Sequence, residues 1–149
     1  MNWINSFGLV IVILLLLPNV IFAMKNKVTE NKCRNKFMNS IEQIGRYGCL
    51  FFMVVPIGLF EFAFPSKYEF ILWLLTNSLL LLLYWLFWYR YFRYPKVTLP
   101  IILAIIPSAI FIIDGLLLRH WLLMISGILF SIGHIYVTYN NNRSSLKKM

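Results

Sequence analysis

The chain has 149 residues, of which 60% are hydrophobic and only 13% are charged, and its net charge is +9. Soluble domains average about 25% charged residues, so this composition excludes an ordinary soluble domain. Of the 14 Lys and Arg residues, 12 fall in three segments at 25–46, 90–96 and 143–148. Basic residues clustered between apolar stretches indicate membrane orientation and argue against nucleic-acid binding.

The first apolar stretch can be interpreted as a cleaved signal or as a retained membrane helix. The residues before it lack the positive charge of a secretory signal, whereas Lys25 and Lys27 follow it. We therefore expect a retained helix over residues 4–24 with its N-terminus outside.

Residues 25–46 form the only sizeable polar segment, and an amphipathic helix is predicted within it over residues 29–46. Cys33, Phe37, Ile41 and Ile44 recur at spacings of 4, 4 and 3, so they share one helical face opposite a basic face. This pattern is typical of an amphipathic helix that lies in the inner headgroup plane of a membrane. A docking site for a cytoplasmic protein is the alternative interpretation.

The apolar stretches after residue 46 predict the second and third membrane helices, over residues 47–64 and 68–92. The third is about as long as a bilayer core requires. It ends in an aromatic belt that is followed by Arg90 and Arg93, as expected at a cytoplasmic boundary. We expect the bundle to be organised around this third helix.

Two further helices are predicted over residues 97–116 and 120–139, and residues 140–149 form a polar tail that we expect to be disordered in the cytoplasm. With five crossings, only Lys67 and Arg119 lie on the side opposite the clustered basic residues. The sequence thus predicts an all-α bundle of five transmembrane helices in the plasma membrane. Its N-terminus lies outside and its C-terminus inside.

Polar side chains are costly inside a bilayer and usually face the interior of a helix bundle. On the third helix, Trp73, Asn77, Tyr84 and Trp88 follow spacings of 4, 7 and 4, so they share one face. For this face alone we favour an interhelical hydrogen bond flanked by packed aromatic rings. The wall of a ligand-binding cavity is the functional hypothesis.

On the last helix, Gly127, Ser131, His134 and Thr138 form a stripe of small and polar residues. His134 is the titratable member of the stripe, and no acidic residue is expected at its depth. Close helix packing is the favoured interpretation of this stripe. In the functional hypothesis, Ser131 and His134 complete the ligand-binding set.

A polar cluster is predicted at the outer ends of the helices: Glu61, Asp114, Arg119 and His120. Acids beside an Arg and a His have the chemistry of general acid–base catalysis. They are equally the charges that end helices at a membrane boundary. Because sequence spacing does not fix the distances between them, we assign no catalytic residue.

The aromatic face and the small-residue stripe favour a non-enzymatic membrane protein that binds or helps to transport a small apolar or amphipathic molecule. The alternative is an accessory or assembly subunit of a larger membrane complex that docks through residues 25–46. A lipid-modifying membrane enzyme is the third hypothesis. The chain has no nucleotide-binding glycine loop, HExxH or CxxC motif, so no cofactor and no metal are expected. Membrane lipids and a protein at the cytoplasmic face are the expected partners.

Overall fold

The computed structural model describes residues 4–25, 33–55, 66–96 and 98–146, and these parts of the chain form five α-helices. In chain order the helices are α1 (Ser6–Lys25), α2 (Lys36–Val54), α3 (Lys67–Arg93), α4 (Leu99–Leu117) and α5 (Trp121–Leu146). The structure therefore confirms the predicted all-helical class.

Four of the helices, α1, α3, α4 and α5, are long and apolar enough to cross a membrane. They indicate an integral membrane protein. Helix α2 differs because it carries Lys36, Glu42 and Arg46 within its 19 residues.

Side-chain contacts fix the direction of α1 relative to α3. The rings of Phe7 and Phe70 lie 5.5 Å apart near the start of both helices. Further along, Asn19 Nδ2 donates to the Tyr84 hydroxyl over 2.8 Å. Since residue numbers rise together along the two helices, α1 and α3 run parallel.

Helix α2 runs in the opposite direction to both α1 and α5. The Asn5 backbone N–H donates to the Val54 carbonyl over 2.8 Å, which pairs the start of α1 with the end of α2. At the other end, the Cys33 N–H donates to Asn141 Oδ1 over 3.0 Å. The start of α2 thus lies beside the end of α5, and the two helices pack along their length.

The most buried helix is α4, and α3 lies at the edge of the bundle. Ten of the 19 residues of α4 are buried, against four of the 27 residues of α3. The expectation that α3 organises the bundle was therefore wrong. Its leucine-rich remainder faces outward, as lipid contact requires, whereas Ala104, Ser108 and Gly115 let α4 pack closely on its neighbours.

Two glycines permit the close approach of α5 to its neighbours. A Cβ atom built on Gly133 would lie 2.5 Å from the backbone nitrogen of Glu42 on α2. One built on Gly115 of α4 would lie 2.5 Å from the backbone nitrogen of Met124 on α5. Only glycine fits these contacts, so α5 is held between α2 and α4.

The structure differs from the predicted interfacial helix at 29–46 over the part that it describes, residues 33–46, whereas residues 29–32 lie outside the described residues. Helix α2 is continuous across the predicted break at residue 46, and it packs against α5. Its buried residues are Glu42, Gly45, Cys49 and Met53. Phe37 and Ile44, which were expected to form the membrane-facing side of an interfacial helix, are exposed on the outside of the bundle. Two properties explain why α2 packs against α5: small residues such as Gly45 favour contact between helices in lipid, and the buried charge of Glu42 needs a partner there.

The predicted tail also differs, because α5 continues to Leu146. Asn140 Nδ2 donates to the Tyr136 carbonyl over 2.9 Å, and Asn142 Nδ2 donates to the Thr138 carbonyl over 2.8 Å. These bonds to the preceding turn accompany the continuation of the helix past residue 139. The predicted end of the second helix, residues 56–64, lies outside the described residues.

Candidate functional site

A cleft of about 660 Å³ opens between the helices where α2 begins and α5 ends. It is lined by Asn19, Phe22, Glu42, Arg46, Trp88, Tyr91, Pro100, Leu103, Ala104, His134, Val137, Thr138, Asn141 and Asn142. We call it the five-helix cleft because every helix contributes to it. Its volume falls within the range of small-molecule pockets, about 300–1,000 Å³.

One wall of the five-helix cleft is a charged network on α2 and α5. Glu42 is 5% exposed, and its Oε1 accepts a hydrogen bond from Arg46 one turn along α2. The same oxygen lies 2.8 Å from His134 Nδ1 on α5. Because a buried carboxylate needs donors, these two partners explain how Glu42 is tolerated inside the bundle.

The His134 ring is fixed on two sides. It stacks on Phe130, with ring centroids 4.7 Å apart and an interplanar angle of 15°. Its Nδ1 faces the Glu42 carboxylate. An ionised carboxylate can only accept hydrogen bonds, so Nδ1 must carry a proton. Nε2 is then the ring nitrogen that remains for the cleft.

The opposite wall is aromatic and comes from α1 and α3. Phe22 packs against Trp88 at 5.5 Å and against Tyr91 at 5.6 Å between ring centroids. Trp88 and Tyr91 meet edge to face at 5.8 Å. The cleft therefore has a charged wall facing an apolar one, which suits an amphipathic molecule.

A smaller cavity of about 160 Å³ adjoins the cleft. Asn19, Arg46 and His134 line both spaces, and Tyr84 lines the smaller one. The charged network thus lies between the two cavities.

The predicted ligand-binding residues divide into two groups. Trp73, Asn77, Tyr84 and Trp88 are all buried, so the predicted inner face of α3 is present. Trp88 and His134 line the cleft. Trp73 and Asn77 do not line it, and Ser131 is half-buried and is also absent from its lining.

Trp73 and Asn77 form a separate buried centre with Asp114. Asn77 Nδ2 donates to Asp114 Oδ1 over 2.6 Å and to the Trp73 carbonyl over 3.0 Å. Asp114 is fully buried. Its role as a hydrogen-bond partner of α3 was not expected from its position near a helix end.

The predicted outer cluster is divided among different partners. Asp114 bonds to α3 as described, and Arg119 pairs with Glu69 at 3.7 Å in an exposed contact. His120 is buried, and its Nδ1 accepts from the Leu123 N–H over 3.1 Å at the start of α5. Glu61 lies outside the described residues. Among the residues that the structure describes, no group of three His, Cys, Asp or Glu side chains could hold a metal ion.

Sequence reasoning missed Glu42, Arg46 and Asn19. The expectation that no acid lies at the depth of His134 was wrong, since Glu42 bonds to it. One local signal was available: Glu42 and Arg46 are four residues apart, the spacing of a helical ion pair. Gly45 and Gly48 between and beside them also indicated close helix packing.

We find no match to this chain among protein-family models, curated proteins or solved structures. The geometry of the five-helix cleft therefore carries the functional conclusion.

Proposed function

We propose that this protein binds a small amphipathic molecule in the five-helix cleft, as a membrane carrier or receptor. The observation that supports this function is the pairing of its two walls. Glu42, Arg46 and His134 supply fixed polar groups on one side, and Phe22 and Trp88 supply an apolar surface on the other. A few fixed polar groups within an apolar pocket are typical of small-molecule sites.

We further propose that the chain crosses the plasma membrane five times, with its N-terminus outside. The parallel direction of α1 and α3 supports this topology, because the chain must return across the membrane between them. Helix α2 lies in that part of the chain and runs antiparallel to α1. The cleft then opens in the cytoplasmic half, where the Lys25 ammonium lies 5.4 Å from the Phe92 ring.

A cavity-filling variant tests the binding proposal. Thr138→Trp places a large side chain in the lining of the cleft, and Tyr136→Trp adds the same indole at an exposed position of α5. The probe is decanol, added to the proteins in nanodiscs of zwitterionic lipid. We expect decanol to raise the melting temperature of the wild type and of Tyr136→Trp, because a ligand stabilises the folded state that binds it. We expect no rise for Thr138→Trp.

The comparison separates cleft binding from partition of decanol into the bilayer. Equal shifts in all three proteins would contradict the proposal, because a membrane-wide effect does not depend on the cleft. The absence of any shift in the wild type would contradict it as well.

A further inference from the structure

The free hydrogen-bonding capacity of the charged wall consists mainly of donors. Arg46 has five N–H donors, and one of its nitrogens, Nη2, bonds to Glu42. The Arg46 side chain is 39% exposed and lines both cavities. Glu42 is the one acid among the described residues that line the cleft, and its Oε1 already has two partners. The wall is therefore better suited to an anion than to a cation.

Because of the charge balance of the wall, binding of an anion depends on the uptake of a proton. Glu42 and Arg46 cancel each other while His134 is neutral. A bound monoanion would then leave a net negative charge in a site of low dielectric, which is unfavourable. If His134 takes up one proton from solution, the imidazolium balances the anion and Nε2 becomes a donor to it.

Among the groups that line the two cavities, His134 is the one that can take up this proton from solution. Among the residues that the structure describes, four other titratable or charged residues line either cavity: Glu42 and Arg46 from α2, and Tyr84 and Tyr91 from α3. The lining residues of α1, α4 and the rest of α5 are uncharged. The Glu42 carboxylate accepts the hydrogen bond of Nδ1, so Nε2 is the ring nitrogen that can take a proton as an anion enters the cleft, and the tyrosine hydroxyls are ordinarily neutral at pH 7.5.

We infer that the occupant of the five-helix cleft is an amphipathic anion with a single oxyanion head group, and that His134 takes up a proton as it binds. The head group lies between Arg46 and His134, and the apolar body lies against Phe22 and Trp88. This inference rests on the proposed function and adds the class of ligand and its coupling to protons.

Three probes with the same ten-carbon chain test the ligand class: decanoate, decanol and decylamine. Binding is measured calorimetrically with the wild type in zwitterionic nanodiscs at pH 7.5, and Thr138→Trp nanodiscs provide the background. We expect decanoate to bind about tenfold more tightly than decanol, since a charge-assisted bond to Arg46 adds to the apolar contact. We expect decylamine to bind more weakly than either.

Proton uptake is measured from the same titrations in two buffers that differ in ionisation enthalpy. For decanoate we expect uptake of up to about one proton by the wild type, as linkage requires. His134→Gln retains an N–H donor for Glu42 and cannot become charged, so we expect no uptake and weaker decanoate binding. Arg46→Lys keeps the charge and should bind decanoate more tightly than Arg46→Gln.

The outcomes distinguish the inference from the proposed function. If all three probes bind equally and Thr138→Trp blocks them, the cleft binds amphiphiles and the inference is wrong. Preference for decylamine, or no proton uptake with decanoate, would also overturn it. If no probe binds, both proposals fail.

Repeating the titration with phosphatidylglycerol in the nanodiscs identifies the source of the anion. Competition indicates a lipid headgroup, and its absence indicates a free amphiphile.

Discussion

Asp114 and Asn77 form a hydrogen bond between α4 and α3 in the buried part of the bundle. Asn77 Nδ2 lies 2.6 Å from Asp114 Oδ1, and both residues are at most 2% exposed. Hydrogen bonds between membrane helices contribute less than their burial suggests, because the unfolded chain in the membrane also finds partners. The pair is therefore a suitable place to measure such a bond.

A double-mutant cycle of Asn77→Ala and Asp114→Ala should give a coupling energy of about 0.6–1.7 kcal/mol. Each single variant should lower the free energy of unfolding, because it leaves the partner without this contact. Reversible unfolding in bicelles provides the measurement. A coupling energy near zero would mean that the two side chains contribute independently.

His120 predicts a dependence of stability on pH. Burial lowers the pKa of His120 below its ordinary value of about 6.5. The unfolded chain then takes up the proton at a higher pH than the folded protein, so stability is lost as pH falls below about 6.5. Protonation of Nδ1 would also remove the acceptor that Leu123 uses.

The control for this effect is His120→Asn, which keeps a side-chain acceptor at the start of α5 and does not titrate. Between pH 7.5 and 5.5, we expect the melting temperature of the wild type to fall more than that of the variant. Parallel decreases would assign the effect to titratable groups other than His120.

At the scale of helices, the contact of α2 with α5 depends on Gly133. Gly133→Ala would force the two backbones apart and should cost about 1–3 kcal/mol of unfolding free energy, the usual range for overpacking. Gly127→Ala on the same helix is the matched control, since a Cβ atom there would lie 3.1 Å from both Cγ1 and the backbone nitrogen of Ile112, against 2.5 Å for the closest atom at Gly133. The smaller overlap can be relieved by a shift of a few tenths of an ångström, so we expect a smaller cost. Equal costs for both variants would show that the severity of the overlap is not the cause.

The helices that cross an apolar environment could be predicted from hydropathy, because their apolar runs are unambiguous. Residues 68–92 were predicted where α3 spans Lys67–Arg93, and its inner face was predicted from spacing alone. The buried position of α2 was not predicted, because charged residues on a helix are typical of a solvated face unless their partner is known. That partner, His134, is 92 residues from Glu42, and no local pattern connects residues so far apart.

For the whole molecule, the proposed five-crossing topology would place the start of α2 in the cytoplasm and the start of α3 outside. Lys36 and Lys67 are exposed, so Lys36→Cys and Lys67→Cys make both positions reactive. A membrane-impermeant thiol reagent should label Lys67→Cys in intact cells and should label Lys36→Cys only after lysis. The unsubstituted chain is the control, because Cys33 and Cys49 are both buried. The opposite labelling pattern would contradict the proposed orientation.

The dependence of α2 on α5 has a consequence for biosynthesis. The ribosome delivers α2 to the membrane early, whereas the helix that covers Glu42 is the last to emerge. On insertion scales, each charged residue at a helix centre costs about 2.5–3.5 kcal/mol, so a lone α2 is a poor substrate for lateral release into lipid. We therefore expect α2 to remain beside the translocon, or in the headgroup region, until α5 has been synthesised. In the proposed topology, a nascent chain stopped after α4 would hold four helices without the partner of α2, and membrane quality control would encounter Glu42 and Arg46 exposed.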